Sequence, residues 1–172
     1  QIEMFEVIHN KLGENHFLRY EISNYSLAGF ESKHNLLYWT DEEFWGLGLS
    51  AHSYSKSTDW GSRFWNPNSL EIYAQQMTQA LSAAEQREDL NKHQALTDFC
   101  HTSLRLGAGL SVQKLVEKFG TTTSEQVQSI AENVVKRNFL TLENGSYRLT
   151  SEGIFISNQI FEKFTFLESD LS

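Results

Sequence analysis

The stretch LTLENGSYRL, residues 140–149, decides the fold of the second half of the chain. Asn144-Gly145 stands between two short apolar runs, 140–142 and 147–149. An Asn-Gly pair so flanked is the strongest local signal for a two-residue hairpin turn, because both turn residues need positive φ. Working outward, the apolar spacing predicts a helix over about 91–106 and a shorter one over 111–119, closed by Gly120. A third helix, starting near Ser124, buries Val127, Ile130, Ala131, Val134 and Val135. Beyond the hairpin, a last helix capped near Thr150 or Ser151 carries Ile154, Phe155, Ile160, Phe161 and Phe164. Three helices, a hairpin wing and a closing helix describe a winged-helix-like unit, expected at 89–172.

Upstream the pattern changes. Ile2, Phe5, Ile8 and Leu12 recur at helical spacing, with Gly13 as the expected C-cap. Residues 16–22 alternate as a strand, with Phe17, Leu18, Tyr20 and Ile22 apolar or aromatic around Arg19 and Glu21. A helix followed by a strand is half of an α/β repeat. From 23 to 66 the periodicity fails, and all four tryptophans (Trp39, Trp45, Trp60, Trp65) fall in this stretch. A loop of that length in a compact domain tends to be functional. Asn68 with Glu71 predicts a capped helix whose face is Ile72, Tyr73, Met77, Ala80, Leu81 and Ala84. The polar run 85–91 is the candidate boundary. The expected division is 1–66, a connecting helix over 67–88, and 89–172.

At 172 residues the chain is long enough for one large domain or two small ones, and 40% apolar residues suffice for a core. No apolar run approaches a membrane span, and the first twelve residues read as an amphipathic helix rather than a signal peptide. A cytoplasmic origin is therefore the default expectation. The absence of an initial Met, with a helical pattern already under way, suggests an excised fragment. The net charge is −8, with six Lys+Arg against twelve Asp+Glu in 1–88 and eight against ten in 89–172. Neither half offers the basic face that phosphate contacts require, so nucleic acid is not an expected partner. Glu125 and Glu132 offset Lys136 and Arg137 on the third helix, the element that would otherwise enter a DNA groove.

Cys100 is the only cysteine, so the chain holds neither an internal disulfide nor the thiolates of an iron–sulfur cluster. None of the six histidines (His9, His16, His34, His52, His93, His101) forms a short zinc-type pair. His34 is distinguished by its neighbours: imidazole is an axial ligand for haem iron, and Tyr38 and Trp39 can stack on a macrocycle. The plainer reading makes Tyr38 and Trp39 core residues and gives His34 a backbone carbonyl. Gly46-Leu47-Gly48-Leu49-Ser50-Ala51-His52-Ser53 lacks the third glycine of a dinucleotide loop and the lysine of a P-loop. It reads instead as a tight turn where backbone approaches something closely.

Taken in series, YEISNY (20–25), HNLLYW (34–39) and GLGLSAHS (46–53) resemble the oxygen-independent coproporphyrinogen III oxidase-like proteins, and among them the haem-chaperone branch. Asn66-Pro67 and Leu149-Thr150-x-x-Gly153 fit the same pattern. The resemblance implies a parent with an N-terminal radical-SAM partial barrel, whose three-cysteine motif binds a [4Fe-4S] cluster and S-adenosylmethionine. This chain lacks that motif. The implied fold is therefore α+β: the terminal α/β elements of a partial TIM-type barrel, followed by the winged-helix-like C-terminal domain. The resemblance also implies that His34, Asn35, Tyr38 and Trp39 take part in haem binding, and that Ser26 lies beside S-adenosylmethionine. The implied function is haem binding and delivery to an acceptor such as a respiratory haem protein. A C-terminal part of a true oxidase of porphyrin biosynthesis and a winged-helix interaction module are the alternatives. The oxidase branch proper does not share the His-Asn-x-x-Tyr-Trp segment.

Overall fold

A computed structural model describes residues 2–79 and 86–171. The architecture is α+β, and its core lies in the second half of the chain. Helix α1 (Ile2–Glu14) leads to a minimal antiparallel pair, β1 (Leu18–Arg19) and β2 (Tyr25–Ser26), followed by the short α2 (Lys33–Leu37). Strands β3 (His52–Ser55), β4 (Ser62–Trp65) and β5 (Gln86–Asp89) form an antiparallel sheet flanked by α3 (Leu70–Thr78). Next come α4 (Lys92–Arg105), β6 (Leu110–Ser111), α5 (Val112–Phe119) and α6 (Thr121–Val135). Strands β7 (Leu140–Glu143) and β8 (Ser146–Leu149), helices α7 (Ser151–Phe155) and α8 (Ser157–Glu162), and a final 3₁₀ turn complete the chain.

Local chemistry explains the second half. Asn91 caps α4 with a full capping box shared with Gln94, which satisfies two otherwise orphaned N–H donors. Ser111 caps α5 by accepting from Lys114 N, and Gly120, at φ +85°, turns the chain directly into α6. Asn144 and Gly145 both hold positive φ, at 50° and 74°, and set the register Leu140↔Leu149 to Glu143↔Ser146. Strand β6 joins the far edge of β8 and makes the sheet three-stranded. Thr150 caps α7 through Gly153 N, and the expected single closing helix is broken at Ile156 into α7 and α8. Leu96, Leu104, Leu110, Leu115, Val127, Ala131 and Phe164 are fully buried between these helices and the sheet. The first half docks on this core through Ile22, Tyr54 and Trp60, with Trp60 stacked on Phe119 at 5.7 Å.

Several local expectations fail. The strand over 16–22 survives only as β1, because His16 at φ +64° turns the chain before it and Glu21 pairs instead with Leu106. Gly13 lies inside α1 rather than capping it. Ser69, not Asn68, caps α3, and no residue of α3 is buried; Ile72 and Met77 remain exposed, while Ala80, Leu81 and Ala84 lie outside the described residues. The stretch 23–66 is not one loop, since it holds a helix and a hairpin. The polar run 85–91, expected as the boundary, holds β5, which pairs with β4 through backbone bonds while its side chains stay largely in water.

His101 on α4 is half-buried, with Nε2 2.7 Å from the Phe161 carbonyl oxygen and its ring stacked on Phe161. Burial lowers its pKa from the ordinary 6.5, against the pull of the Phe161 carbonyl, which raises it. Below pH 6.5 the unfolded chain therefore takes up a proton that the folded chain resists, and stability falls until the depressed folded pKa is reached. Urea unfolding at pH 7.5 and 5.5 should show a larger loss for the native chain than for His101→Gln. Equal losses in both proteins would remove His101 as the source.

Candidate functional site

Ser32 opens α2, its side chain accepting from Asn35 N at 3.3 Å. Helical turns continue past the end of α2, with Tyr38 N donating to Asn35 O and Trp39 N to Leu36 O. Residues four apart share a helical face, and residues one apart are about 100° away from each other. The motif is accordingly divided. His34 and Tyr38 look outward: the Tyr38 hydroxyl lies 3.1 Å from His34 Nε2, the rings meet edge-on at 5.2 Å, and both residues are exposed. Tyr38 in turn packs edge-on against Phe44 at 4.7 Å, and Phe44 sits 6.4 Å from Tyr54, with which it forms a backbone bridge. The result is a row of four rings.

Leu37, Tyr38, Phe44 and Tyr54 line one side of a cleft of about 200 Å³, and Ala95 and Phe99 of α4 line the other. Polar groups sit at its rim. The Tyr54 hydroxyl donates to Asp41 Oδ1 at 3.0 Å, and Asp41 Oδ2 accepts from Lys118 Nζ at 2.6 Å. Burial first, and the Asp41 carboxylate second, push the Tyr54 phenol well above its ordinary value, so it remains a neutral donor. Arg63 pairs with Asp98 and, at 3.7 Å, with Glu88.

Asn35 and Trp39 point inward. Asn35 Nδ2 donates to the Tyr20 hydroxyl at 3.3 Å. Trp39 lies beneath the Arg105 guanidinium, 4.4 Å from the ring centroid. Arg105 reaches Glu21 Oε2 at 3.3 Å, and Glu21 is only 1% exposed. Its other oxygen accepts from Ser23 N at 2.8 Å and Asn24 Nδ2 at 2.6 Å. The macrocycle-facing role expected of Trp39 therefore meets a ring already covered by an arginine. Ser26 stands apart from these four, buried in β2, with its hydroxyl unpartnered among the described residues. The glycine loop is a close backbone approach: Asn66 Nδ2 donates to the Gly46 and Gly48 carbonyls, and a Cβ on Gly46 would lie 2.3 Å from His52 O. Arg105 and Tyr54 escaped the sequence reading because each joins the site from elsewhere in the chain, and Asp41, two residues past Trp39, because its role comes from Tyr54 and the distant Lys118. Glu21 left a trace, as a charge set among aromatic and apolar residues in YEISNY.

No family model matches the chain. Among curated proteins it is 27% identical over 164 residues to the heme chaperone HemW of Bacillus subtilis (strain 168), covering 95% of this chain and 42% of that protein. It is 30% identical over 162 residues to heme chaperone HemW of Lactococcus lactis subsp. lactis, covering 94% and 41%. The Synechocystis heme chaperone HemW is 31% identical over 173 residues, covering 90% and 41%. The chain thus spans about two-fifths of the length of the relatives it matches. Among solved structures, the coproporphyrinogen III oxidase (HemN) from Escherichia coli, a radical SAM enzyme, superposes with a TM-score of 0.69 at 12% identity, covering 95% of this chain and 40% of that one. At that identity the likeness concerns the fold alone.

Removing Glu21 leaves Arg105 without its carboxylate and Trp39 without a fixed cover. Glu21→Ala should cost about 3 kcal/mol in urea unfolding, at the low end for one partner of a buried pair because Arg105 is 28% exposed. The same variant should alter the near-ultraviolet circular dichroism of its tryptophans. An unchanged spectrum together with an unchanged midpoint would contradict the arrangement.

Proposed function

From its homology to the HemW heme chaperones over more than nine-tenths of its length, we propose that this chain is the haem-handling portion of a haem chaperone. On this reading residues 1–66 are the last elements of a radical-SAM partial barrel, 67–88 connect, and 89–172 are a winged-helix-like C-terminal domain. The three helices and three-stranded sheet of the second half support the latter. The parent would be cytoplasmic, and none of the helices in the described residues is long and apolar enough to cross a membrane.

The observation that carries the proposal is the exposure of His34. Its Nε2 meets the Tyr38 hydroxyl and no other side chain among the described residues. An imidazole on an exposed helical turn can give its lone pair to haem iron without unpacking the fold, and can give it up again. For Nε2 to take the iron, its contact with the Tyr38 hydroxyl must be given up, which an exposed phenol can do by turning to water. Leu37, Tyr38 and Phe44 offer the apolar surface that the porphyrin edge needs. Asn35 and Trp39 act from behind, holding the turn against Tyr20 and Arg105. The cargo would pass to an acceptor such as a respiratory haem protein.

The residues present do not fit a [4Fe-4S] cluster: Cys100 is fully buried, and burial holds its thiol far above the ordinary range. Ser26 fits a place beside S-adenosylmethionine, since its buried hydroxyl has no partner among the described residues and is free to donate. In the parent that cofactor would supply radical chemistry. A second reading, the C-terminal part of a coproporphyrinogen III oxidase, draws on the shared fold. Under that reading the cleft beside Tyr38 would receive a porphyrinogen rather than haem.

Titration of the chain with haemin, followed at the Soret band, should give a ligated spectrum for the native protein. The affinity should be at least about tenfold weaker for His34→Ala. Tyr38→Phe should retain binding with a shifted band. Superimposable spectra for the native protein and His34→Ala would exclude His34 as the ligand.

A further inference from the structure

Behind the motif lies a second feature, a crevice of about 40 Å³ between the β1–β2 segment and the end of α4. Arg19, Arg105 and Arg148 all line it, with Glu21 as its only acidic wall. A chain of net charge −8 has here a local excess of positive charge. Glu21 offsets Arg105, while Arg148 has only a 3.7 Å contact with the exposed Glu143. Arg19 lies over the Phe5 ring and forms no ion pair among the described residues.

The hydrogen-bonding inventory is one-sided. Arg105 Nε, Arg148 Nε and Trp39 Nε1 are all buried and have no partner among the described residues. Arginine and indole nitrogens only donate, so two residues lining the crevice, Arg105 and Arg148, and the ring stacked beneath Arg105 each keep a buried donor with no acceptor among the described residues. Leaving such groups unmet is costly, and a cluster of donors around net positive charge calls for an anion. The volume exceeds the roughly 30 Å³ share of one water, which is room for the oxygens of a carboxylate.

We propose that this crevice is a carboxylate subsite that takes a propionate arm of the tetrapyrrole; this rests on the haem reading above. Trp39 connects the two places. It closes the turn that begins with His34, about 7.5 Å along the helix axis at 1.5 Å per residue, and its ring stacks on Arg105, which lines the crevice. A porphyrin carries its metal at the centre and its acids at the edge, so metal and acid can be held by the two ends of one short segment. The same carboxylate chemistry in a free small anion is the competing source.

The test uses protoporphyrin IX, which has no iron and so does not need His34, alongside its dimethyl ester, in which both acids are blocked. The native chain should bind the diacid roughly tenfold or more tighter than the ester, the range expected for a lost charge-assisted hydrogen bond. Arg19→Gln/Arg148→Gln should abolish that preference while leaving ester affinity unchanged. Should the double variant lose its far-ultraviolet circular dichroism, Arg19→Gln alone and the salt dependence of the native preference decide the matter, both being expected to reduce it. Equal binding of diacid and ester by the native chain, no binding of either, or a preference surviving the substitutions would overturn the subsite. Erasure of the preference by millimolar acetate or phosphate would make the crevice a small-anion site and overturn the tetrapyrrole assignment. A diacid preference beside haemin spectra that do not respond to His34→Ala would keep the subsite and remove only the iron ligand.

Discussion

One carboxylate, 1% exposed and 84 residues from its partner, ties the two halves of this protein together. Burying a charge is costly unless it is fully bonded, and Glu21 meets that condition with Arg105, Ser23 N and Asn24 Nδ2. Backbone bonds flank it on both sides, Ile22 N to Arg105 O and Gly107 N to Tyr20 O. The clamp fixes Tyr20, which holds Asn35, and Arg105, which covers Trp39. The outward posture of His34 and Tyr38 therefore depends on two inward residues anchored to a strand and a helix end that share no local sequence.

That dependence explains what was legible in the sequence and what was not. The Asn144-Gly145 hairpin, the helix that opens near Asn91 and the Gly120 turn are encoded within short stretches, and pattern alone located them. The sheet β3–β4–β5 was not visible. Its third strand, Gln86–Asp89, carries no apolar alternation and exists because β4 offers backbone partners. Residues 16–22 had the alternation of a strand, yet a left-handed His16 and the pull of Glu21 toward Leu106 left only two residues paired.

The candidate site was half legible. The sequence set His34 apart by its aromatic neighbours, and the side chains of His34 and Tyr38 do meet. The sequence grouped Trp39 with Tyr38 as rings for a macrocycle, but on a helix the next residue turns about 100° away, which carries Trp39 under Arg105. No local rule could name that arginine. Its relevance comes from a contact formed across the chain, as do those of Tyr54 and Asp41 at the cleft rim.

The length of the Glu21–Arg105 connection also sets an order of events in folding. Contacts between distant residues require closure of a long loop and form after local ones. The Asn-Gly hairpin and the capped α4 can assemble early, since each is specified within its own stretch. The clamp must wait for the end of α4, and the turn bearing His34 must wait for the clamp. A nascent chain would acquire the turn bearing His34 last, once the scaffold that positions it is already in place.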